Sequence, residues 1–252
     1  MRTLSAQIFG TENVIHSVSQ SDYEQLDGLK SIFESFTRTS YQSVFVLDFC
    51  KRNYFYVSER PLFLSDMLSE DFQKGGLPLF LRRIPPHELR KLGEVCQMGF
   101  RLFREQPLAS RSECVISYDF HLVDKGRQVL VHHKLTPLLM TKQKELWMAL
   151  CVFSLSPHKT DGHVVFRNKR LDKTWVYSFC CHQWKVQERV LLTQEEKKML
   201  AYSAQGHSRE EIGRLLGKSV DTVKRYRGQL FDKLGVDNIT EAISYASTYG
   251  LI

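Results

Sequence analysis

Near the end of the chain a single lysine separates a helix-ending glycine from a helix-capping serine, at Gly217-Lys218-Ser219. Glycine tolerates the positive φ with which many helices end, and a serine oxygen accepts from an unpaired N–H at the start of the next helix. The residues on both sides, 210–216 and 220–234, have helical periodicity. Two short helices joined by so tight a turn predict a helix-turn-helix.

The helix after this turn has one apolar and one cationic face. Its apolar residues recur at helical spacing and predict a buried stripe, at Val220, Val223, Leu230 and Leu234. Its cations fall mostly on the opposite side, at Lys224, Arg225 and Arg227, with Lys233 further along. An apolar face for the core and a cationic face for a polyanion are what a helix that reads duplex DNA needs.

Several motifs in residues 191–252 resemble the DNA-binding domain of LuxR-type transcription regulators. They are Leu192-Thr193…Glu196, Gly206-His207-Ser208…Glu211-Ile212, Ser219-Val220-x-Thr222-Val223-Lys224, Lys233-Leu234-Gly235-Val236 and Thr240-Glu241-Ala242. Thr193 and Glu196 also have the spacing of a capping box. The chain departs from the family's common pattern at Glu195, Gly213 and Tyr226, where Arg, Ala and His are usual. The resemblance covers roughly 60 of the 252 residues and implies an all-α, four-helix domain that binds double-stranded DNA.

The cationic face and the resemblance together predict the DNA contacts. Contacts to DNA phosphates are expected from Lys218, Thr222, Arg227 and Lys233, and from the helix N-terminus, which Ser219 caps. Contacts to base edges are expected from Lys224 and Arg225, because Lys and Arg donate hydrogen bonds to guanine O6 and N7. Gly228 stands where the family often carries a further contacting side chain, so fewer bases would be read on that face.

The last helical pattern, from Thr240 to Tyr249, resembles the dimerisation helix of the family, which implies contacts through Ala242, Ile243 and Ala246. A homodimer would bind two half-sites about one helical turn apart, and RNA polymerase is a further expected partner. The alternative hypothesis is a protein-interaction module that has lost specific DNA binding. Nine Lys and Arg against eight Asp and Glu from Thr193 onward leave +1 of the formal charge of +7, so the prediction of DNA binding rests on the local placement of the cations.

Residues 1–182 have a different pattern. A helical period up to Thr39 is followed by a hairpin at 41–58, a short helix at 61–67, an irregular stretch at 72–81 and a long helix from Pro85. Strands are predicted at 113–123, 129–140 and 146–155, with a further hairpin at 164–179. This order resembles a PAS domain, and Ile84-Pro85-Pro86-His87-Glu88-Leu89 resembles the turn that often starts its connecting helix.

The predicted fold class is therefore α+β, with three segments. A PAS-like antiparallel-sheet domain for sensing or dimerisation spans 1–182, a linker spans 183–190, and the helix-turn-helix domain spans 191–252. A GAF-like or autoinducer-binding fold is the alternative for the first segment. A phospho-acceptor receiver domain is disfavoured, because residues 1–13 offer only Glu12 and no apolar strand.

The sequence contains no motif that indicates an enzymatic or metal-binding function. No nucleophile motif, phosphate loop or paired-carboxylate spacing stands out, so no catalytic residue is predicted. His132 and His133 are adjacent on a predicted strand and point to opposite faces, and no C-x-x-C spacing occurs, so no metal site is predicted. No cofactor is predicted either, with a haem or flavin in the sensor pocket as the alternative.

Aromatic residues are dense in the first 180 positions, which predicts a large core and a pocket for a small-molecule ligand. The six cysteines are scattered and are expected to be small buried hydrophobes with reduced thiols. No signal peptide or membrane-spanning run is apparent. The prediction is a cytoplasmic protein with no membrane partner.

Overall fold

The computed structural model describes residues 8, 9, 13, 15, 18–59, 64, 68–188 and 190–252. The chain divides into two compact units, Met1–Gln187 and Glu188–Ile252. None of the helices in these ranges is both long enough and apolar enough to cross a lipid bilayer.

The first unit combines helices with eight strands. It begins with helices α1 (Gln20–Glu24) and α2 (Asp27–Thr39) and the hairpin of β1 (Ser43–Asp48) and β2 (Asn53–Val57). Helices α3 (Ser69–Leu81) and α4 (Pro86–Glu105) and a 3-10 helix (Leu108–Glu113) lead to the long strands β3 (Cys114–Asp124), β4 (Arg127–Met140) and β5 (Leu146–Leu155). Three short strands close the unit, β6 (Val165–Asn168), β7 (Lys173–Ser178) and β8 (Gln183–Gln187). The helix predicted at 61–67 falls outside the described residues, apart from Leu64.

These strands form one antiparallel sheet in the order β2-β1-β5-β4-β3-β6-β7-β8. The order of elements along the chain confirms the predicted α+β class. Strand β8 corrects the predicted linker, because residues 183–187 pair with β7. Its sequence is polar except for Trp184 and Val186, but the Trp184 ring packs against Phe166 and Tyr177, at 6.0 and 5.0 Å between ring centroids. One partly buried aromatic side chain thus anchors a strand whose composition suggested a linker.

Helix α3 replaces the irregular stretch predicted at 72–81. Gly76 has a φ of 59°, which interrupts the helical geometry in the middle, and Pro78 follows two residues later. Glycine takes this conformation at little cost, whereas other residues are strained in it. The helix persists because Phe72, Leu77 and Phe80 are buried, and tertiary packing supplies most helical stability in proteins.

The sheet is packed on both faces around β1. Val44 and Val46 pack in one cluster with Phe33 of α2. The intervening residues Phe45 and Leu47 belong to the larger cluster on the other face, with residues of α3 and α4. This alternation follows from the two-residue period of a strand. It leaves the larger cluster, which is rich in aromatic rings, enclosed between the sheet and two helices.

Asp48, at the end of β1, stabilises the hairpin turn. Its Oδ1 accepts the backbone N–H groups of Cys50 and Lys51 at 2.9 and 3.0 Å, and its Oδ2 accepts the Tyr23 hydroxyl at 2.8 Å. Asp side chains commonly bond the backbone of a turn in this way. These contacts account for a buried aspartate at a strand end without a phospho-acceptor role.

The second unit is all-α, as predicted. Within residues 190–252 it contains α5 (Gln194–Ala204), α6 (Arg209–Leu216), α7 (Val220–Leu234) and α8 (Ile239–Thr248). Its core has at least one fully or nearly fully buried residue from each helix, including Met199, Ile212, Leu230 and Ala246. The four helices therefore enclose a hydrophobic core of their own.

Candidate nucleic-acid interface

Side-chain caps fix the starts of the helices in the second unit. The Thr193 hydroxyl accepts the Glu196 N–H at 3.2 Å, and the Glu196 carboxylate accepts the Thr193 N–H at 2.6 Å, which confirms the predicted capping box. Ser208 and Glu211 form a second box at the start of α6. This box was not predicted as a cap, although its Ser-x-x-Glu spacing is the same signal. Both boxes satisfy orphan N–H groups and set the bounds of α5 and α6.

The turn between α6 and α7 is as tight as its sequence predicts. Gly217 has a φ of 62°, and the Lys218 N–H donates to the Gly213 carbonyl at 2.8 Å. A Cβ added to Gly213 would lie 2.8 Å from the Lys218 carbonyl oxygen. This close approach is a physical reason for glycine where the family usually has alanine. Ser219 then caps α7 by accepting the Thr222 N–H at 3.2 Å.

Helix α7 has the buried stripe that its periodicity predicts. Val223, Leu230 and Leu234 are buried in the core of the unit, and Val220 is half-buried. Burying this stripe turns the opposite side of the helix outward, where Gly228 has nothing within 4 Å of an added Cβ. The helix is therefore anchored along one side and open along the other.

Two cations of the open side are available to a partner. Lys224 Nζ lies 3.6 Å from Asp221 Oδ1, but the two side chains are 55% and 92% exposed, so the pair is weak and easily displaced. Arg225 is exposed, and its guanidinium carbon lies 5.6 Å from the centre of the Tyr226 ring. Both residues lie in the first half of α7, the part of a recognition helix that contacts base edges.

Two other predicted DNA contacts are engaged within the unit. Lys218 Nζ lies 3.3 Å from Glu195 Oε1, and Lys233 Nζ lies 2.9 Å from Glu196 Oε2. Burial raises the pKa of Glu196, but bonds from Thr193 and Lys233 outweigh it and the net pKa is lowered. These lysines join α5 to the helix-turn-helix, and a phosphate would have to replace a glutamate to bind them.

Arg227 is half-buried beside a second cation. Burial, and then the charge of Arg209, lower its pKa, although arginine stays protonated in proteins. Its guanidinium carbon lies 5.7 Å from the centre of the Phe231 ring. A phosphate that contacts Arg227 would relieve the repulsion from Arg209, so this position suits backbone binding.

The predicted dimer contacts on α8 need a correction. Ala242 and Ala246 have no exposed surface and belong to the core of the unit, because this side of α8 packs against α5 and α7. Ile243 is half-buried and is the one of the three with surface to offer. The exposed residues of α8 share another face, at Thr240, Ser244 and Ser247.

A second candidate site is an apolar cavity of about 80 Å³ in the first unit, between the sheet and helices α3 and α4. Aromatic, aliphatic and thiol side chains form most of its wall, including Phe45, Phe80, Phe103 and Cys151. Its polar side chains are His133, Tyr54 and Tyr118, and no charged side chain of the described residues lines it.

The adjacent histidines of β4 point to opposite faces, as the strand period predicts. His132 is fully buried, with Nδ1 2.5 Å from Asp119 Oδ1, and His158 Nδ1 contacts the second oxygen of Asp119. Burial raises the pKa of Asp119, but the two histidines outweigh it and the net pKa is lowered. His133 instead lines the cavity, where neither ring nitrogen hydrogen-bonds to a described residue.

Metal-ligating side chains are not clustered in the part of the chain that the structure describes, where no three or more His, Cys, Asp or Glu are placed to hold an ion. Cys114 and Cys151 are buried, as predicted, and Cys50 and Cys96 are half-buried. Cys180 and Cys181 depart from the prediction, because they are exposed in the turn between β7 and β8.

Residues 190–246 match the profile of the family described as "Bacterial regulatory proteins, luxR family". No curated protein matches the chain. Among solved structures, a phage VqmA–DPO complex is 15% identical, with 92% of each chain covered and a TM-score of 0.33. A Vibrio cholerae VqmA dimer is 16% identical, with 93% of this chain and 89% of that chain covered and a TM-score of 0.30. Escherichia coli SdiA is 14% identical, with 100% and 97% covered and a TM-score of 0.28.

These structural likenesses are too distant to assign a function to the first unit. The match over 190–246 is different, because it coincides with the capped helices, the tight turn and the cationic side of α7. Residues 190–246 are a luxR-family helix-turn-helix DNA-binding domain.

Proposed function

We propose that this protein is a sequence-specific transcription regulator that binds double-stranded DNA as a homodimer and responds to a small molecule in its first unit. The observation that carries the proposal is the exposed pair Lys224 and Arg225 at the start of a helix that a tight turn holds against α6. A cationic side chain in this place donates to base edges when the helix enters the major groove.

The remaining predicted contact residues have a different role in this proposal. Lys218, Thr222, Arg227 and Lys233 contact phosphates around the groove, and the N-terminus of α7, capped by Ser219, adds its unpaired N–H groups. Such contacts position the domain without reading sequence. Since Lys218 and Lys233 already pair with glutamates, we expect them to contribute less to affinity than their charge suggests.

Dimerisation would place two copies of α7 on one duplex. The exposed side of α8, with Thr240, Ser244, Ser247 and the accessible part of Ile243, is the contact we propose within the second unit. Small side chains there would allow two helices to approach closely. Two such units would bind half-sites about 10 base pairs apart.

The role proposed for the first unit rests on its cavity. Small-molecule sites are concave and mostly apolar with a few polar groups, and the cavity between the sheet and helices α3 and α4 has this character. A ligand there would touch both β4 and α4, so it could alter how these elements pack. The first unit would then bind the ligand, and the second would bind DNA in response.

Selection of bound sequences from a pool of random duplexes with the full-length protein tests the proposal. We expect one enriched motif with two symmetric half-sites about one helical turn apart. If no sequence is enriched and no duplex is retarded even at low salt, the protein is the protein-interaction module of the alternative hypothesis. Enrichment of a single half-site would support sequence-specific binding by α7 but contradict the homodimer.

A further inference from the structure

His133 is a buried polar side chain without a hydrogen-bond partner among the described residues. It is 4% exposed, and neither Nδ1 nor Nε2 hydrogen-bonds to a described residue. An unsatisfied buried polar group is costly, so such groups are normally hydrogen-bonded. The neighbouring His132 obeys this rule through Asp119, which makes His133 the exception.

Packing does not explain why an imidazole occupies this position. The ring of His133 stacks on Phe153, with centroids 4.4 Å apart and an angle of 21° between planes, and it meets the Tyr118 ring edge-on at 4.9 Å. A phenylalanine ring could make both contacts with no polar atoms to desolvate. The two nitrogens are thus what distinguishes His133 from an ordinary core residue, and its side chain lines the cavity.

The protonation state of His133 limits what it can bind. Burial, and to a lesser extent the nearby His132, lowers its pKa to about 3, so the ring is neutral and has one N–H donor and one acceptor nitrogen. Burial also raises the pKa of the hydroxyls of Tyr54 and Tyr118 well above the usual value. The polar side chains that line the cavity within the described residues are therefore uncharged, and they would not compensate a charged ligand for its lost hydration.

The size and wall of the cavity limit the ligand further. Its volume of about 80 Å³ is roughly half that of an engineered apolar cavity of about 150 Å³ that binds benzene. A single ring is therefore the upper size limit, and fitting one requires the wall to widen. Rings such as Phe45, Phe80 and Phe153 in the wall favour a flat, apolar body through stacked and edge-on contacts.

We propose that this cavity binds a small, uncharged, single-ring molecule whose polar substituent hydrogen-bonds to the imidazole of His133. The inference rests on the sensing role proposed above for the first unit and gives that role a ligand class and a selecting residue. His133 makes the specific contact, and the aromatic wall supplies most of the binding surface.

Phenol and toluene are suitable probes, because they differ by a hydroxyl in place of a methyl group. Their dissociation constants for the full-length protein can be measured by calorimetry, with benzoate as a charged comparison. In the wild type we expect both neutral probes to bind and benzoate not to bind. In His133→Phe, which keeps a flat ring, the preference for phenol over toluene should fall by about tenfold, the factor that one buried hydrogen bond supplies.

Two further measurements guard against a misfolded variant. Cys96→Leu places a larger side chain in the cavity wall and should weaken both probes at least tenfold, and a cooperative unfolding transition would show that it folds. In the wild type, phenol should shift the ring NMR signals of His133 more than those of His132. Absence of binding by both probes, or an unchanged phenol preference in His133→Phe with no shift at His133, would overturn the proposal and leave an ordered water as the partner.

The outcome is separable from that of the proposed function. Probe binding is measured without DNA, and retardation of duplex is measured on the same preparation without probe. Phenol binding by a protein that binds no DNA would retain this inference and reject the regulator. DNA binding by a protein that binds neither probe would support the proposed regulator and reject the ligand inference.

Discussion

Both units have ion pairs at the surface, but the fully buried pair of the described residues lies in the first unit. In the second unit the ion pairs lie at the surface, and both Lys218 and Lys233 use partly exposed glutamates. In the first unit Asp119 and His132 are completely buried, and Glu88, 3% exposed, accepts the His121 backbone N–H and contacts its ring nitrogen, each at 2.7 Å. Surface pairs contribute little to stability and exchange partners easily, whereas a buried charge that loses its partner is strongly destabilising.

This difference indicates which charged side chains can exchange partners with a ligand and which ones stabilise the fold. A DNA phosphate can replace Glu195 or Glu196 at small cost, so the exposed pairs suit an interface that must also exist without DNA. The buried Asp119 cluster cannot exchange its partners in this way and is part of the core. His133 belongs to neither group, since it is buried like the cluster but forms no hydrogen bond in the part of the chain that the structure describes.

The largest effect is expected from breaking the buried cluster. Asp119→Ala leaves His132 and His158 without their carboxylate, and removing one partner of a buried pair costs about 3–5 kcal/mol. Urea unfolding followed by tryptophan fluorescence reports this unit, because Trp147, Trp175 and Trp184 all lie within it.

The matched control is Asp221→Ala, which removes a carboxylate from the exposed pair with Lys224. Circular dichroism should show a change within about 0.5 kcal/mol for the second unit. Equal losses for the two variants would contradict the contrast between buried and exposed pairs.

A smaller effect is expected from a pH change of one unit. The pKa of His133 is lowered to about 3 in the folded protein from an ordinary value of 6.5, so below pH 6.5 the unfolded state binds a proton that the folded state does not. Stability is therefore lost as pH falls from about 6.5 towards 3, by up to about 1.4 kcal/mol per pH unit. Urea titrations at several pH values should show a shallower dependence in His133→Phe, and parallel curves would indicate that the folded His133 titrates normally.

Two glycines in the second unit should respond to the same substitution with opposite signs. Gly228→Ala adds a methyl group to open space and should stabilise α7 by about 1 kcal/mol through helix propensity. Gly213→Ala would press a methyl group against the Lys218 carbonyl oxygen at 2.8 Å, and overpacking costs typically about 1–3 kcal/mol. Thermal unfolding of residues 188–252 by circular dichroism measures both, and stabilisation by Gly213→Ala would show that the turn is less tight.

The smallest effect is expected from freeing one surface cation. Glu195→Gln removes the negative partner of Lys218 and should change stability by less than about 1 kcal/mol. If Lys218 then contacts a phosphate fully, the slope of log affinity against log salt steepens by up to about 0.9. Fluorescence anisotropy across a salt series measures it, with Glu210→Gln, an exposed glutamate of α6, as the control.

Local features of the second unit could be predicted because their causes lie within a few residues. The caps at Thr193 and Ser219 and the glycine at 217 depend on bonds spanning three to five positions. The pairing of Lys233 with Glu196 spans 37 positions, and no local pattern indicates it. Ala242 and Ala246 were misassigned to a dimer contact because a small apolar residue on a helix suits either an interface or a core.

The first unit was harder to predict in detail for the same reason. Alternation correctly placed His132 and His133 on opposite faces, since that depends on the strand alone. The partner of His132 comes from β3, and the cavity beside His133 is formed by strands and helices far apart in sequence. Strand β8 was missed because Trp184 packs against rings of β6 and β7.

The central claim is that α7 reads bases through its exposed cations. The most direct test compares the affinity of wild type and Arg225→Ala for the selected duplex and for a scrambled duplex, with Lys198→Ala, an exposed cation of α5, as the charge control. We predict that Arg225→Ala loses about 1–3 kcal/mol on the selected duplex only, whereas Lys198→Ala affects both duplexes alike. An equal loss on both duplexes with Arg225→Ala would contradict base reading and reduce Arg225 to a phosphate contact.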